Sequence, residues 1–241
     1  DVPATAGKTA IEMFDAVKSG EIKAIWIACT NPAHSMPDLN NVLEALNTAE
    51  LVVVQDAFNN TSTAPYADVL LPASTWGEKE GTVTNSERCI TRVNPAIAPP
   101  AEGKHDWQIM VDFAQRLEKR LSKKTQLFPF TMTEEIFNEH RETTRGRDLD
   151  ITGLSYDLLN AQGPQQWPFV EGASTGKTRL YSDGIFQKPD GKAQFVNAVY
   201  KGTADKTDAH HPLHLLTGRL RDQWHGMSRT GTLGRLFAHA G

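Results

Sequence analysis

The chain has 241 residues, 39% of them hydrophobic and 22% charged, with a net charge of −4. That leaves room for one large domain or two modest ones, each with a real core. The charge excludes a global field for nucleic acid or an anionic membrane, and no apolar run approaches the ~20 residues of a membrane helix.

The first third reads as alternating α and β units. TAIEMFDAVKSG sets Ile11, Phe14 and Val17 at helical spacing, with Gly20 placed to cap the end. IKAIWIA, residues 22–28, is a nearly continuous apolar run, as a parallel strand covered on both faces requires. After TNPAHS, the stretch MPDLNNVLEALNTAE predicts a helix, with Pro37 in its first turn and Leu39, Val42, Leu43 and Leu46 as its buried stripe. LVVVQD, residues 51–56, and ADVLLPAS predict two further strands. Strand, helix, strand with short links is the grammar of an open, mostly parallel Rossmann-like sheet with flanking helices.

GTVTNSERCITRVNPAI alternates apolar and polar residues and predicts a hairpin or an extended excursion. HDWQIMVDFAQRLEKRL predicts an amphipathic helix that turns Trp107, Ile109, Met110, Phe113 and Leu117 to the core. TEEIFNEHRETT and GLSYDLLNAQG predict two more helices. From Gly163 the composition shifts to Gly, Pro, Ser and Asp, which predicts a loop-rich linker over 163–210. HPLHLLTG then reads as the first strand of a separate β-barrel domain, residues 211–241, with too few residues after it to close a barrel. The expected organisation is therefore an α/β domain over 1–162, the linker, and the start of a truncated β domain. The opening DVPATAG carries neither an initiator Met nor a signal-peptide core, which reads as an internal piece of a longer protein.

Cys29 and Cys89 lie in unrelated segments and lack the spacing of a disulfide framework, a zinc site or an iron–sulfur site. They read as two buried thiols in a reducing, cytoplasmic setting. In open α/β sheets ligands bind outside the carboxyl ends of the strands. Strand 22–28 delivers Thr30 and Asn31 there, and strand 51–56 delivers Gln55 and Asp56. Asp56 could accept from sugar hydroxyls or a guanine N–H edge; equally, Asn31 and Asp56 could cap the next helix or turn. Lys79 reads as a phosphate or ring contact or as a solvated lysine, and Asp106 as a ligand or as a carboxylate serving a helix N-terminus. No G-x-G-x-x-G or P-loop motif follows either strand. His210, His211 and His214 fit no closed zinc signature.

TGRLRDQWHGMSRTG, residues 217–231, is the densest chemistry in the chain. Arg219, Arg221 and Arg229 are planar donor forks for phosphate or ring oxygens. Trp224 adds a stacking face, Gln223 and His225 add donors, and Gly218 and Gly226 allow close backbone approach. The composition predicts a loop that grips a flat anion.

Together, WIACTNPAHSMPD, the block from VVVQD through EKEGTVTNSER, and TGRLRDQWHGMSRTG resemble the molybdopterin-dependent oxidoreductases that carry bis(molybdopterin guanine dinucleotide). Within them the pair EKEGTVTNSER and TGRLRDQWH looks most like the bacterial assimilatory nitrate reductases. The resemblance implies a molybdenum cofactor, nitrate as substrate, and an electron donor it does not identify. It implies cofactor contacts at Asn31, Gln55, Asp56, Lys79 and Asp106. It extends them to Thr217, Gly218, Arg219, Leu220, Arg221, Asp222, Gln223, Trp224, His225 and Gly226, with Gln55 and Asp56 reading a guanosine end. It also implies a [4Fe-4S] cluster and a molybdenum ligand, neither assignable to residues of this chain, so the piece is expected to be inactive alone and to need the remaining domains. A formate dehydrogenase of the same superfamily, a stand-alone nucleotide-binding module and, more weakly, a hydrolase remain as alternatives.

Overall fold

A computed structural model describes residues 3–238. The chain folds as two compact units: one comprises the residues up to Lys79, Asn94–Phe130 and those from Arg219 on, and the other Glu80–Val93 and Thr131–Gly218.

The first unit holds a three-stranded parallel sheet, β1 (Ala24–Ala28), β2 (Leu51–Asp56) and β3 (Val69–Pro72), in the order β1-β2-β3. Register runs from Ala24 opposite Leu51 to Ala28 opposite Gln55, and from Val53 opposite Val69 to Asp56 opposite Pro72. Helix α1 (Ala10–Lys18) precedes the sheet, and α2 (Pro32–Ser35) and α3 (Leu39–Thr48) form the crossover from β1 to β2. Phe14 and Val17 of α1, Val42, Ala45 and Leu46 of α3, and Ile25, Ile27, Val52 and Val54 of the strands make the core. Gly20 takes the left-handed conformation just past α1, as its expected cap role requires.

Pro37 falls outside any helix: Asp38 takes a left-handed conformation and α3 starts at Leu39, while Pro32 opens the short α2 instead. Ile11 and Leu39, expected in the buried stripes, are exposed at the ends of their helices. Helix α1 is held at its start by a capping box, with the Glu12 N–H donating to the Thr9 hydroxyl and the Glu12 carboxylate accepting from the Thr9 N–H. Thr9→Ala is expected to lower stability by about 1 kcal/mol in urea unfolding, with Thr9→Ser close to the parent.

Helix α4 (Asp106–Arg120) also belongs to this unit. Ile109 and Val111 are buried, whereas Met110, Phe113 and Leu117 of the expected core stripe are exposed. Phe113 meets Trp26 edge to face at 5.0 Å, so the apolar face is only partly covered by the sheet.

The second unit contains an antiparallel sheet of β4 (Gly81–Thr84), β5 (Cys89–Val93) and the two-residue β6 (Gln165–Gln166), with helices α5 (Thr133–Thr143) and α6 (Tyr156–Gln162). The alternation in GTVTNSERCITRV is thus a hairpin. Ile90, Phe137, Ile151, Leu154, Tyr156, Leu159 and Phe169 form its core. Arg92 lies 3.9 Å from the Tyr156 ring and pairs with Glu80 at 2.9 Å. Beyond Ala173 this unit has no helix or strand among the described residues. HPLHLLTG, expected to open a β domain, forms no strand: Leu215 is 95% exposed and Leu213 and Leu216 scarcely less. A strand needs a neighbour for its backbone, and this stretch has none among the described residues. No closed barrel is present there either, and the last three residues of the expected 211–241 segment lie outside them.

Candidate functional site

Parallel pairing sends the chain out of β1, β2 and β3 at the same edge of the sheet. The loops there carry Cys29–Asn31, Asp56–Ala57 and Ala73–Trp76, and with Lys79, Asp106 and Trp224–Gly226 they line a cleft of about 310 Å³. This is the crevice in which open α/β sheets bind ligands.

Asp106 is brought there by the main chain. Ala73 pairs in parallel with Lys104, the Lys104 N–H donates to the Pro72 carbonyl at 3.1 Å, and the Ser74 N–H donates to the Lys104 carbonyl at 2.8 Å. The Ser74 hydroxyl and His105 Nδ1 meet at 2.9 Å. The start of α4 is therefore clipped to the end of β3, and its first residue, Asp106, faces the cleft.

Three side chains converge on that carboxylate. Gln55 Nε2 donates to Oδ1 at 2.8 Å, the Cys29 thiol donates to the same oxygen at 3.2 Å, and Lys79 Nζ donates to Oδ2 at 2.9 Å. Partial burial works against the charge on Asp106. The hydrogen bonds from Lys79, Gln55 and Cys29 outweigh it and hold the carboxyl below its ordinary value of 3.8. Cys29 goes the other way: burial of the thiol, then its hydrogen bond to Asp106 and the charge there, push it up to about 11. The expectation of two buried thiols is corrected for both residues, since Cys29 is exposed as a residue, with its sulfur partly shielded, and Cys89 is half-buried.

Asn31 precedes α2 but makes no capping bond. Its Oδ1 accepts from the Thr63 N–H at 3.0 Å and the Thr63 hydroxyl at 2.7 Å, which leaves its amide N–H₂ as the group it offers. Asp56 accepts from the Phe58 N–H at 3.2 Å, closing a tight turn, and lies 3.5 Å from Arg229 Nη2. Trp76 and Trp224 line the cleft while 62% and 65% exposed, with Lys79 Nζ 5.6 Å from the Trp76 ring centre. The His34 ring stands where a Cβ on residue 226 would project, so Gly226 permits the close seating of the 224–229 loop against α2.

Of the residues expected to bind, the fold gathers Asn31, Asp56, Lys79, Asp106, Trp224, His225 and Gly226 around one cleft. Gln55, 1% exposed, sits behind Asp106 as its support. Residues 219–223, of the same unit, are absent from the cleft lining. Thr217 and Gly218 belong to the second unit, Arg219 and Leu220 are exposed, and the Arg221 guanidinium is paired with Asp222 at 2.9 Å. Gln223 spends its amide locally, donating to the Leu236 carbonyl at 2.6 Å and accepting from the Thr230 hydroxyl at 2.7 Å. Cys29, His34, Trp76 and Ser228 were missed, and Arg229 was noted only for its guanidinium. The strand-end rule applied to ADVLLPAS would have found Trp76; nothing local in the sequence links Arg229 to Asp56.

The donor set suits one end of a pterin dinucleotide. Asp56 and Asp106 are acceptors of the kind that ring N–H groups need, Lys79 and Arg229 are cations of the kind that phosphate needs, and the two indoles offer flat faces. Gln55 Oε1 is a buried acceptor without a partner among the described residues, beside this set. At about 310 Å³ the cleft is near the lower bound for small-molecule sites, so it suits one end of such a cofactor and not the whole.

Residues 1–116 match the molybdopterin oxidoreductase family. Proteins similar to this chain include several nitrate reductases. It is 38% identical to the nitrate reductase of Synechocystis sp. over 235 residues, which is 95% of this chain and 32% of that one. It is 39% identical to the assimilatory nitrate reductase catalytic subunit of Bacillus subtilis over 220 residues, 90% of this chain and 30% of that one. It is also 35% identical to the F420-dependent formate dehydrogenase subunit alpha of Methanocaldococcus jannaschii, over 98% of this chain and 32% of that subunit. The chain spans about a third of the length of these curated relatives. Acetylene hydratase from Pelobacter acetylenicus shares the fold, with a TM-score of 0.54 at 21% identity over 75% of this chain and 23% of that one.

Proposed function

We propose that the cleft at the ends of β1, β2 and β3 holds the guanosine end of bis(molybdopterin guanine dinucleotide), and that the protein acts as an assimilatory, cytoplasmic nitrate reductase reducing nitrate to nitrite. The carrying observation is the pairing of two cleft carboxylates with two cations in a cleft also lined by two exposed indoles. Asp56 and Asp106 would accept from the guanine N–H edge, Lys79 and Arg229 would neutralise phosphate, and Trp76 or Trp224 would stack on the base. His225 and the Asn31 amide would add donors to phosphate or ribose oxygens.

The bound cofactor supplies the oxygen-atom transfer chemistry; these residues bind and orient it. The metal ligand, a [4Fe-4S] cluster and the substrate-facing residues belong, on this reading, to other parts of the enzyme, as does the remainder of the cradle. The 241-residue chain by itself is expected to turn over no nitrate with a dye donor. Similarity to a formate dehydrogenase subunit supports a second reading, in which the same cradle serves formate oxidation.

Calorimetric titration with guanosine diphosphate tests the cleft. A Kd on the order of 0.1 mM, about −5.5 kcal/mol, is expected for one end of a larger ligand, with adenosine diphosphate weaker. No heat at millimolar nucleotide would remove the guanosine reading. Nanomolar binding with a preference for the triphosphate would favour a stand-alone nucleotide module instead.

A further inference from the structure

Asp106 offers two oxygens and about four acceptor positions, and the protein fills three of them. Two of the donors, Cys29 and Gln55, share Oδ1. They are themselves tied together, because the Cys29 N–H donates to the Gln55 carbonyl at 3.0 Å and so extends the β1–β2 pairing by one bond. Cys29 then leaves the strand with φ of +59°, a left-handed turn that few non-glycine residues adopt. From there its sulfur meets Asp106.

We propose that Cys29 is a positioning residue of this cleft: its thiol proton holds the Asp106 carboxylate in the orientation that leaves one acceptor position free for an N–H-bearing ring. This rests on the reading that the cleft binds the guanosine end of the cofactor. It assigns Cys29 the role of a hydrogen-bond donor, distinct from that of nucleophile or metal ligand. The surroundings support a permanent proton. Burial raises the thiol, Asp106 and Asp56 raise it further, and only Lys79 opposes them. At a value of about 11, against an ordinary 9.0, the thiolate is about 100-fold scarcer at neutral pH than for an unperturbed cysteine. Lys79 holds Oδ2 and Gln55 still holds Oδ1, so loss of the thiol leaves the carboxylate attached but removes one of the two donors that fix Oδ1.

The test compares the full chain with Cys29→Ala and Cys29→Ser, each checked by thermal unfolding. Carbon-detected NMR titration of the Asp106 carboxyl needs no ligand. Cys29→Ala is expected to move its midpoint upward, towards the ordinary value, and Cys29→Ser to keep it low, since serine retains the donor. Guanosine diphosphate binding should weaken roughly 5-fold in Cys29→Ala and less than 2-fold in Cys29→Ser, the loss of one hydrogen bond to a charged group at the weak end because S–H is a poor donor. An Asp106 midpoint identical in all three proteins overturns the proposal, as does a serine variant that titrates like alanine. If the parent chain binds no nucleotide, the guanosine reading fails alone, and the NMR titration still decides the role of Cys29.

Discussion

Asp106→Ala is expected to weaken guanosine diphosphate binding by about 10- to 100-fold, the loss of one hydrogen bond to a charged acceptor. It is also expected to cost stability, by an unusual route. Lys79 loses its partner, but its side chain is 27% exposed and its ammonium can turn to water, so that part is small. Gln55 is 1% exposed and cannot follow. Its amide loses the acceptor at 2.8 Å and is stranded in the sheet, at a cost of about 1–3 kcal/mol. Adding Gln55→Leu to Asp106→Ala should therefore recover part of the lost stability and none of the lost binding. Asp106→Asn keeps a carbonyl for one donor and should stay closer to the parent in urea unfolding than in calorimetry. Equal losses in both measurements would mean that Asp106 serves the fold alone.

The same carboxylate gives a pH dependence of known sign. Because its value in the folded chain is depressed below 3.8, the stability it contributes is complete above that value and is lost as pH falls through the lower, folded one. Asp106→Asn should thus flatten the acid limb of the unfolding curve below about pH 4, and near neutrality lower the curve without changing its slope.

The α/β rhythm was legible because β1 and β2 are apolar on both faces, a pattern that only a doubly covered strand requires. From the strands followed their carboxyl ends, and with them Asn31 and Asp56. Apart from the resemblance, Asp106 was legible as the start of a helix: its arrival at the cleft depends on backbone bonds between Lys104 and residues Pro72 and Ser74, and backbone bonds leave no mark on side-chain identity. The 217–226 loop shows a related limit. Composition counts donors without saying which are spent at home, and Arg221 and Gln223 are occupied by Asp222, Leu236 and Thr230. Helix α4 shows the limit of periodicity: Met110, Phe113 and Leu117 fall on one apolar face, yet spacing says nothing of how much of that face is covered.

Trp76 and Trp224 separate binding from folding more cleanly than any charged residue in the cleft. Both are more than 60% exposed, so truncating either removes little packing, and neither indole ring belongs to the core of its unit. Trp76→Ala and Trp224→Ala should each leave thermal unfolding within about 0.5 kcal/mol of the parent. Stacking of a base on an aromatic ring is worth about 1–3 kcal/mol, so whichever indole carries the guanine should loosen guanosine diphosphate by roughly 5- to 100-fold when removed. Replacement by Phe or Tyr keeps a flat face and should restore most of the affinity, whereas Leu, of comparable apolar character, should not. Trp76 carries a further expectation, because Lys79 lies 5.6 Å from its ring. Loss of that ring frees Lys79 on one side, so its ion pair with Asp106 should tighten and the Asp106 carboxyl should titrate lower still. If both alanine variants bind guanosine diphosphate as the parent does, no base lies on either ring, and the proposed seat of the guanosine end is wrong.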